Sequence, residues 1–193
     1  MAEPEPLEQL ACVVIKGLAA GQSVEIDGLG TFYPDAVRGF RFAADLRPNV
    51  FIAYVTEDVV AAGHLYDGLA DAGFSPWMDT RKLLPGQNWP RAIERAIESS
   101  DFFIACFSTN SVNKRGGFQA EIRYALDCAR RIPLDEIFLV PVRLDACRVP
   151  RPIRHEYQYI DLFPDWARGA RRMAAMMRRE LARRARRAVA ARS

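Results

Sequence analysis

Several features are scarce in this chain of 193 residues. No apolar run approaches the ~20 residues that a membrane-spanning helix needs, so no span is expected. The start, Met1-Ala2-Glu3-Pro4-Glu5-Pro6, is acidic and proline-rich. It lacks the basic start and apolar core of a secretory signal, and the expected location is the cytoplasm. Histidine occurs only at positions 64 and 155, and cysteine only at 12, 106, 128 and 147. No two cysteines form a CxxC pair, so no structural zinc or other metal site is expected, and a reducing cytosol disfavours disulfides. Cys106, inside the apolar run Asp101–Ser108, reads as a small buried hydrophobe. GxSxG, Walker and HExxH motifs are absent. Gly28-Leu29-Gly30 lacks the third glycine of a dinucleotide fingerprint, because Tyr33 stands there and no helix follows; a hairpin turn is the better reading.

What is present is globular: 50% of residues are hydrophobic and 26% charged, which excludes wholesale disorder. The net charge of +3 conceals an asymmetry, since residues 166–193 carry ten arginines and a single acid, Glu180. In that segment Trp166, Ala170, Met173, Met177 and Leu181 form one stripe. The leading reading is a helix packed on a sheet with a solvated basic face. An anionic partner such as nucleic acid is a less favoured alternative, and a membrane surface a weaker one, since aromatics are scarce beyond Trp166.

Along the chain, Leu7, Leu10, Ala11, Val14 and Leu18 predict a helix over 7–20, stopped at Gly21. Short strands at 24–26 and 31–33 flank the turn Asp27-Gly28-Leu29-Gly30. Arg38–Phe42 suggests a further strand, and Asp45–Pro48 a linker. From Asn49 strands and helices alternate. Strands are expected at 49–55, 74–79, 101–108, 136–143 and 157–162. Helices are expected at 57–72, from Pro90, at about 118–131 and at 166–191, with loops at 80–88 and 109–117. Five β–α repeats predict a three-layer α/β fold with a parallel sheet, whose ligands bind beyond the carboxyl ends of the strands. Asp58, Asp79 and Glu121 all fall at that edge, as does Trp89. Taken alone, each acid is as well explained by helix capping or solvation, and Trp89 by a core plug or a face on which a base stacks. His64, beside Leu65 in mid-helix, reads as a surface histidine.

Residues 49 to about 180 resemble a TIR (Toll/interleukin-1 receptor) domain, especially of the bacterial kind. Asn49–Asp58 (NVFIAYVTED) is similar to the first strand and its loop, often written FISYSxxD. Trp77-Met78-Asp79, Leu84-Pro85-Gly86 and Trp89 resemble the second strand and long BB loop. Ile93–Ser108 is similar to the next helix and third strand, and Phe138–Arg143 (FLVPVR) to the fourth strand with its interior proline. The resemblance implies a flavodoxin-like five-stranded parallel sheet in the order 2-1-3-4-5. It divides the chain into a TIR domain at 49–181, a small amino-terminal helix-and-hairpin module at 1–45, and a basic helix end at 182–193.

Many members of this family cleave NAD⁺ at the nicotinamide–ribose bond with a glutamate on the helix after the third strand. The resemblance therefore implies that Glu121, in GFQAEI, is catalytic. Gly117 stands four residues before it, where many members carry Trp or Cys. The positions implied to hold NAD⁺ are Tyr54, Thr56, Asp79, Arg81, Trp89 and Ser108. NAD⁺ is the substrate, and no further cofactor is implied. Hydrolysis or cyclisation would yield an ADP-ribose product, with a role in bacterial antiviral defence or stress signalling, and self-association through TIR contacts is expected. The alternative is a non-catalytic TIR interaction module. Leu7–Phe32, with AAGQSVEIDGLGTF, more faintly resembles the helix and first hairpin of an HU-type DNA-binding domain, without its basic arms. A docking or oligomerisation module that binds a partner or trigger is the favoured use.

Overall fold

The computed structural model describes residues 6–26, 29–44, 47–82 and 88–190. The chain forms two compact units, Met1–Arg47 and Pro48–Ser193. Asp27 and Gly28 of the hairpin turn, Asp45 and Asp-proximal Leu46 of the linker, and Leu84-Pro85-Gly86 lie outside the described residues.

Among its described residues the first unit has one helix, α1 (Pro6–Ala19), and three strands, β1 (Val24–Ile26), β2 (Gly30–Asp35) and β3 (Gly39–Ala44). Gly21, at φ +71°, lets the chain reverse after α1. The strands form an antiparallel sheet in the order β1-β2-β3. Val24 lies opposite Phe32, and Phe32 opposite Phe42. The rings of Phe32 and Phe42 meet at 4.6 Å between centroids, a cross-strand aromatic pair that helps fix the register.

The second unit is a doubly wound parallel sheet. Its strands are β4 (Asn49–Ala53), β5 (Ser75–Trp77), β6 (Phe102–Phe107), β7 (Leu139–Arg143) and β8 (Ile160–Asp161). Their order is β5-β4-β6-β7-β8, all parallel, which is the expected 2-1-3-4-5. A 3₁₀ turn (Thr56–Asp58) leads into α2 (Val59–Asp71); α3 (Asp79–Lys82), α4 (Trp89–Glu98), α5 (Gly117–Ala129), α6 (Arg151–Glu156) and α7 (Trp166–Ala190) follow.

The apolar strand runs are explained by burial on both faces. Val50, Ile52, Ile104, Cys106, Val140 and Val142 point into one core with Leu65 and Leu69 of α2 and Met173 and Met177 of α7. Phe51, Ala53, Phe103, Ala105 and Phe107 point the other way, onto Ile97 of α4, Ile122 of α5 and Ile153 of α6. The two-residue alternation of a strand thus fills two hydrophobic layers. Phe51 stacks on Phe103 at 5.2 Å and on Trp77 at 4.8 Å. Cys106 is fully buried, as expected. His64 lies on the exposed face of α2, with its ring edge-on to Trp166 at 6.4 Å.

The strands are shorter than their apolar runs. Residues 136–138 precede β7, after a turn over 133–136 closed by Glu136 N–H on the Pro133 carbonyl. The expected loop over 80–88 begins instead as α3, because Arg81 and Lys82 donate backbone hydrogen bonds to the Met78 carbonyl. α6 was not expected from the sequence; Pro152 in its first turn is the available signal. α7 comes so close to β8 that a Cβ on Gly169 would overlap the Asp161 carbonyl oxygen and sit 2.9 Å from Leu162 Cα. No helix among the described residues is long and apolar enough to cross a membrane.

Candidate functional site

The parallel order β5-β4-β6 places three chain segments side by side beyond the carboxyl ends of the strands. Tyr54 follows β4, Asp79 follows β5, and Glu121 sits on α5, the helix after β6. The Tyr54 hydroxyl donates a 2.5 Å hydrogen bond to Asp79 Oδ1 and lies 3.1 Å from Thr80 Oγ1. Asp79 Oδ1 also accepts the Thr80 N–H at 2.7 Å, which orients the carboxylate as α3 begins. Burial, reinforced by the bond to Asp79, raises the pKa of the tyrosine hydroxyl, so Tyr54 acts at this edge as a neutral donor.

Glu121 is partly buried on the second turn of α5. It forms no hydrogen bond or ion pair among the described residues. Burial pushes its carboxyl up to about 7, with the nearby charge of Asp79 adding to the effect. Two carboxyl groups therefore share this edge. Asp79 is held by donors, while Glu121 is poorly solvated and without a partner. Such an arrangement favours a positively charged or hydroxyl-bearing ligand, which would meet Glu121 as a hydrogen-bond acceptor and counter-charge.

The other expected site residues lie in the segments that follow β4, β5 and β6. Thr56 is exposed at the start of the 3₁₀ turn after β4. Trp89 opens α4 and is 58% exposed. Its helix is capped by Asn88, whose side-chain oxygen accepts the Arg91 N–H at 3.3 Å. Arg81 is held on α2, with Nη1 2.5 Å from Asp67 Oδ1 and its guanidinium 4.3 Å from the Tyr66 ring centre. Ser108 is buried, and its hydroxyl is committed to Asp58.

That last contact belongs to a buried network whose other members sequence reasoning missed. Asn110 Nδ2 donates to Asp58 Oδ1 at 2.8 Å, and the backbone N–H groups of Asn110 and Ser111 donate to Ser108 Oγ at 3.1 Å. Ser111 Oγ accepts the Ser108 N–H at 2.8 Å. Asp58 thus serves neither as a solvated acid nor as a side-chain cap of α2, although it holds the N-cap position. The Ser-Thr-Asn-Ser run at 108–111, directly after an apolar strand, was the signal for a polar turn with side-chain bonding. Lys114 adds an ion pair to Glu57. Among the described residues no group of three or more His, Cys, Asp or Glu side chains is placed to hold a metal ion.

This edge defines a flavodoxin-like α/β domain with a carboxylate pair at its switch point. Residues 50–174 match the family model of the TIR domain, and the chain belongs to that family. Among solved structures, the TIR domain of the Toll-related receptor TRR-2 from Hydra magnipapillata is similar at 23% identity and a TM-score of 0.56, over 67% of this chain and 97% of that one. A metazoan TIR-STING receptor from C. gigas, solved with 2′,3′-cGAMP, is similar at 24% identity and a TM-score of 0.56. The match covers 66% of this chain and 38% of the receptor. Both are likenesses of fold. No curated protein matches the chain.

Proposed function

We propose that this chain is an NAD⁺-consuming TIR enzyme, with Glu121 as the catalytic carboxylate. The observation that carries the reading is the partly buried, unpartnered Glu121 carboxyl, raised to about 7, beside Asp79 at the carboxyl edge of the sheet. Nicotinamide leaves NAD⁺ as a neutral molecule from a cationic pyridinium, so no general acid is needed. A carboxylate that accepts the ribose hydroxyls and faces the developing oxocarbenium charge supplies the transition-state stabilisation, as carboxylates do in glycosidases. The positive ribose–nicotinamide end also favours the ionised form of Glu121.

In this reading Tyr54, Thr56, Asp79 and Trp89 line the substrate, with Asp79 kept in place by the Tyr54 hydroxyl. Arg81 and Ser108 contribute less directly, through the positions of α3 and of the loop after β6. Water as acceptor gives ADP-ribose, and an internal nucleophile gives a cyclic product. The TIR domain spans 49–181, residues 1–45 serve as a docking or oligomerisation module, and residues 182–193 are a basic segment that begins in the last turns of α7. Self-association through TIR contacts accompanies activity.

The test is incubation of concentrated protein with NAD⁺, with products resolved by liquid chromatography and mass spectrometry, and Glu121→Ala in parallel. Nicotinamide release by the parent alone supports the enzyme. A second reading, a non-catalytic TIR interaction module, is favoured by the exposure of Trp89, since exposed aromatics anchor protein contacts. No turnover at any concentration, with self-association retained by Glu121→Ala, selects that module.

A further inference from the structure

A second concave site lies away from Glu121, towards the β7 side of the sheet. A cavity of about 620 Å³ opens between the loop after β6 and the segment that follows β7. Arg148, Arg151, Arg154 and His155 line it, together with Val112 and Asn113, and no Asp or Glu is part of its wall. Most paired arginines of this chain meet carboxylates: Arg81 meets Asp67, Arg130 meets Asp127, Arg143 meets Asp161, and Arg183 meets Asp135 and Glu180. Among the described residues no carboxylate pairs with Arg148, Arg151 or Arg154. The polar contact within the group is Arg151 Nε–H, which donates to His155 Nε2 at 3.4 Å. That bond leaves the terminal guanidinium nitrogens of Arg151 for another acceptor.

Three exposed guanidinium groups line one cavity that has no carboxylate in its wall, and their donors are open to an anion. A concave wall concentrates their field, and the guanidinium fork matches the oxygen spacing of a phosphate. The volume is that of a small-molecule site. Val112, Val149 and Pro150 supply an apolar wall beside the charges, and Asn113 supplies an amide. We propose that this cavity binds a phosphate-bearing small molecule of nucleoside-diphosphate type, with the phosphates on the arginines and the organic part against the apolar wall. The site stands independently of the NAD⁺ reading. Glu121 is not part of its wall, and Val112 and Asn113 come from the loop that precedes α5, in which Lys114 pairs with Glu57.

The experiment is calorimetric titration of the full chain at physiological salt with ADP, pyrophosphate and adenosine. ADP and pyrophosphate are expected to bind and adenosine is not. Arg151→Gln with Arg154→Gln should weaken ADP binding by about tenfold per arginine, whereas Arg130→Gln, which alters an arginine outside the cavity, leaves it unchanged. Both substituted residues are exposed, so the melting temperature should hold. If the double variant melts early, Arg154→Gln alone is measured instead, with about tenfold weakening expected. Trp89→Ala and Glu121→Gln keep ADP binding if the two sites are separate. Absence of ADP and pyrophosphate binding, binding insensitive to the arginine changes, or loss of ADP binding in Trp89→Ala overturns the proposal.

Discussion

The Tyr54 hydroxyl and the Asp79 carboxylate meet at 2.5 Å, joining residues that follow two adjacent parallel strands; the Asp79 charge in turn acts on Glu121. Tyr54→Phe removes this donor and leaves Asp79 with the Thr80 N–H. The expected loss of stability is about 1 kcal/mol by chemical denaturation. NAD⁺ turnover, read as kcat/KM, should fall by about tenfold as the carboxylate loses its orientation. Unchanged turnover would remove Tyr54 from the site.

In the proposed reaction the raised Glu121 carboxyl should set the pH dependence of activity. If the ionised form is required, kcat/KM for NAD⁺ should rise with pH through about 7 and level above it. A rate flat from pH 5.5 to 8.5 would mean that the carboxylate does not take part in the free enzyme.

The same group affects stability with the opposite sign. Its folded pKa of about 7 lies above the ordinary value of 4.5, so between these the folded chain holds more protons than the unfolded one. Stability contributed by this group is full below pH 4.5 and lost as pH rises through 7. Glu121→Gln cannot ionise. It should match the parent at pH 4.5 and exceed it by about 1–3 kcal/mol at pH 8, measured by denaturant melts at both pH values. The expected variant is thus more stable and, if Glu121 is the catalytic carboxylate, inactive.

Glu180 makes the contrasting case. It is 4% exposed and accepts from Arg183 Nη2 at 2.8 Å, Arg184 Nε at 3.2 Å and the Ile137 N–H at 3.2 Å. The Arg183 guanidinium holds its carboxyl below the ordinary range. This contribution is present above the ordinary carboxylate range and is lost as pH falls through the lowered pKa. Glu180→Ala removes one carboxylate from Arg183 and Arg184, which keep Asp135 and Glu136, and takes the acceptor from the Ile137 N–H; it should cost about 1–3 kcal/mol in a thermal or urea melt at pH 7.

Gly169→Ala tests how closely α7 sits on β8. The added methyl meets the Asp161 carbonyl and the Leu162 backbone, which can yield only by shifting the helix. A loss of about 2 kcal/mol is expected from the denaturation midpoint.

Much of the fold was legible because burial leaves a mark on sequence. Runs such as Val50–Ala53 and Phe102–Phe107 are apolar at every position only when both faces of a strand are covered. Pro90 and Gly73 marked helix ends for steric reasons that act locally. Less legible were elements fixed by backbone bonding or by few apolar residues. α3 rests on bonds to the Met78 carbonyl, and α6 buries a single side chain, Ile153. At the site, the position of Glu121 after β6 followed from the repeat of strand and helix. Its neighbourhood with Asp79 follows from strand order, which no local pattern encodes. The commitment of Ser108 to Asp58 was hidden for the same reason, since the partners are 50 residues apart.

The ties Asp58–Ser108, Asp58–Asn110 and Glu57–Lys114 all join the segment after β4 to the loop after β6. These two walls are therefore stapled, and the Tyr54–Asp79 bond extends the same bracing to the segment after β5. Substitutions at Asp58, Ser108 and Asn110 are expected to be non-additive, because each loosens a wall that the others also hold.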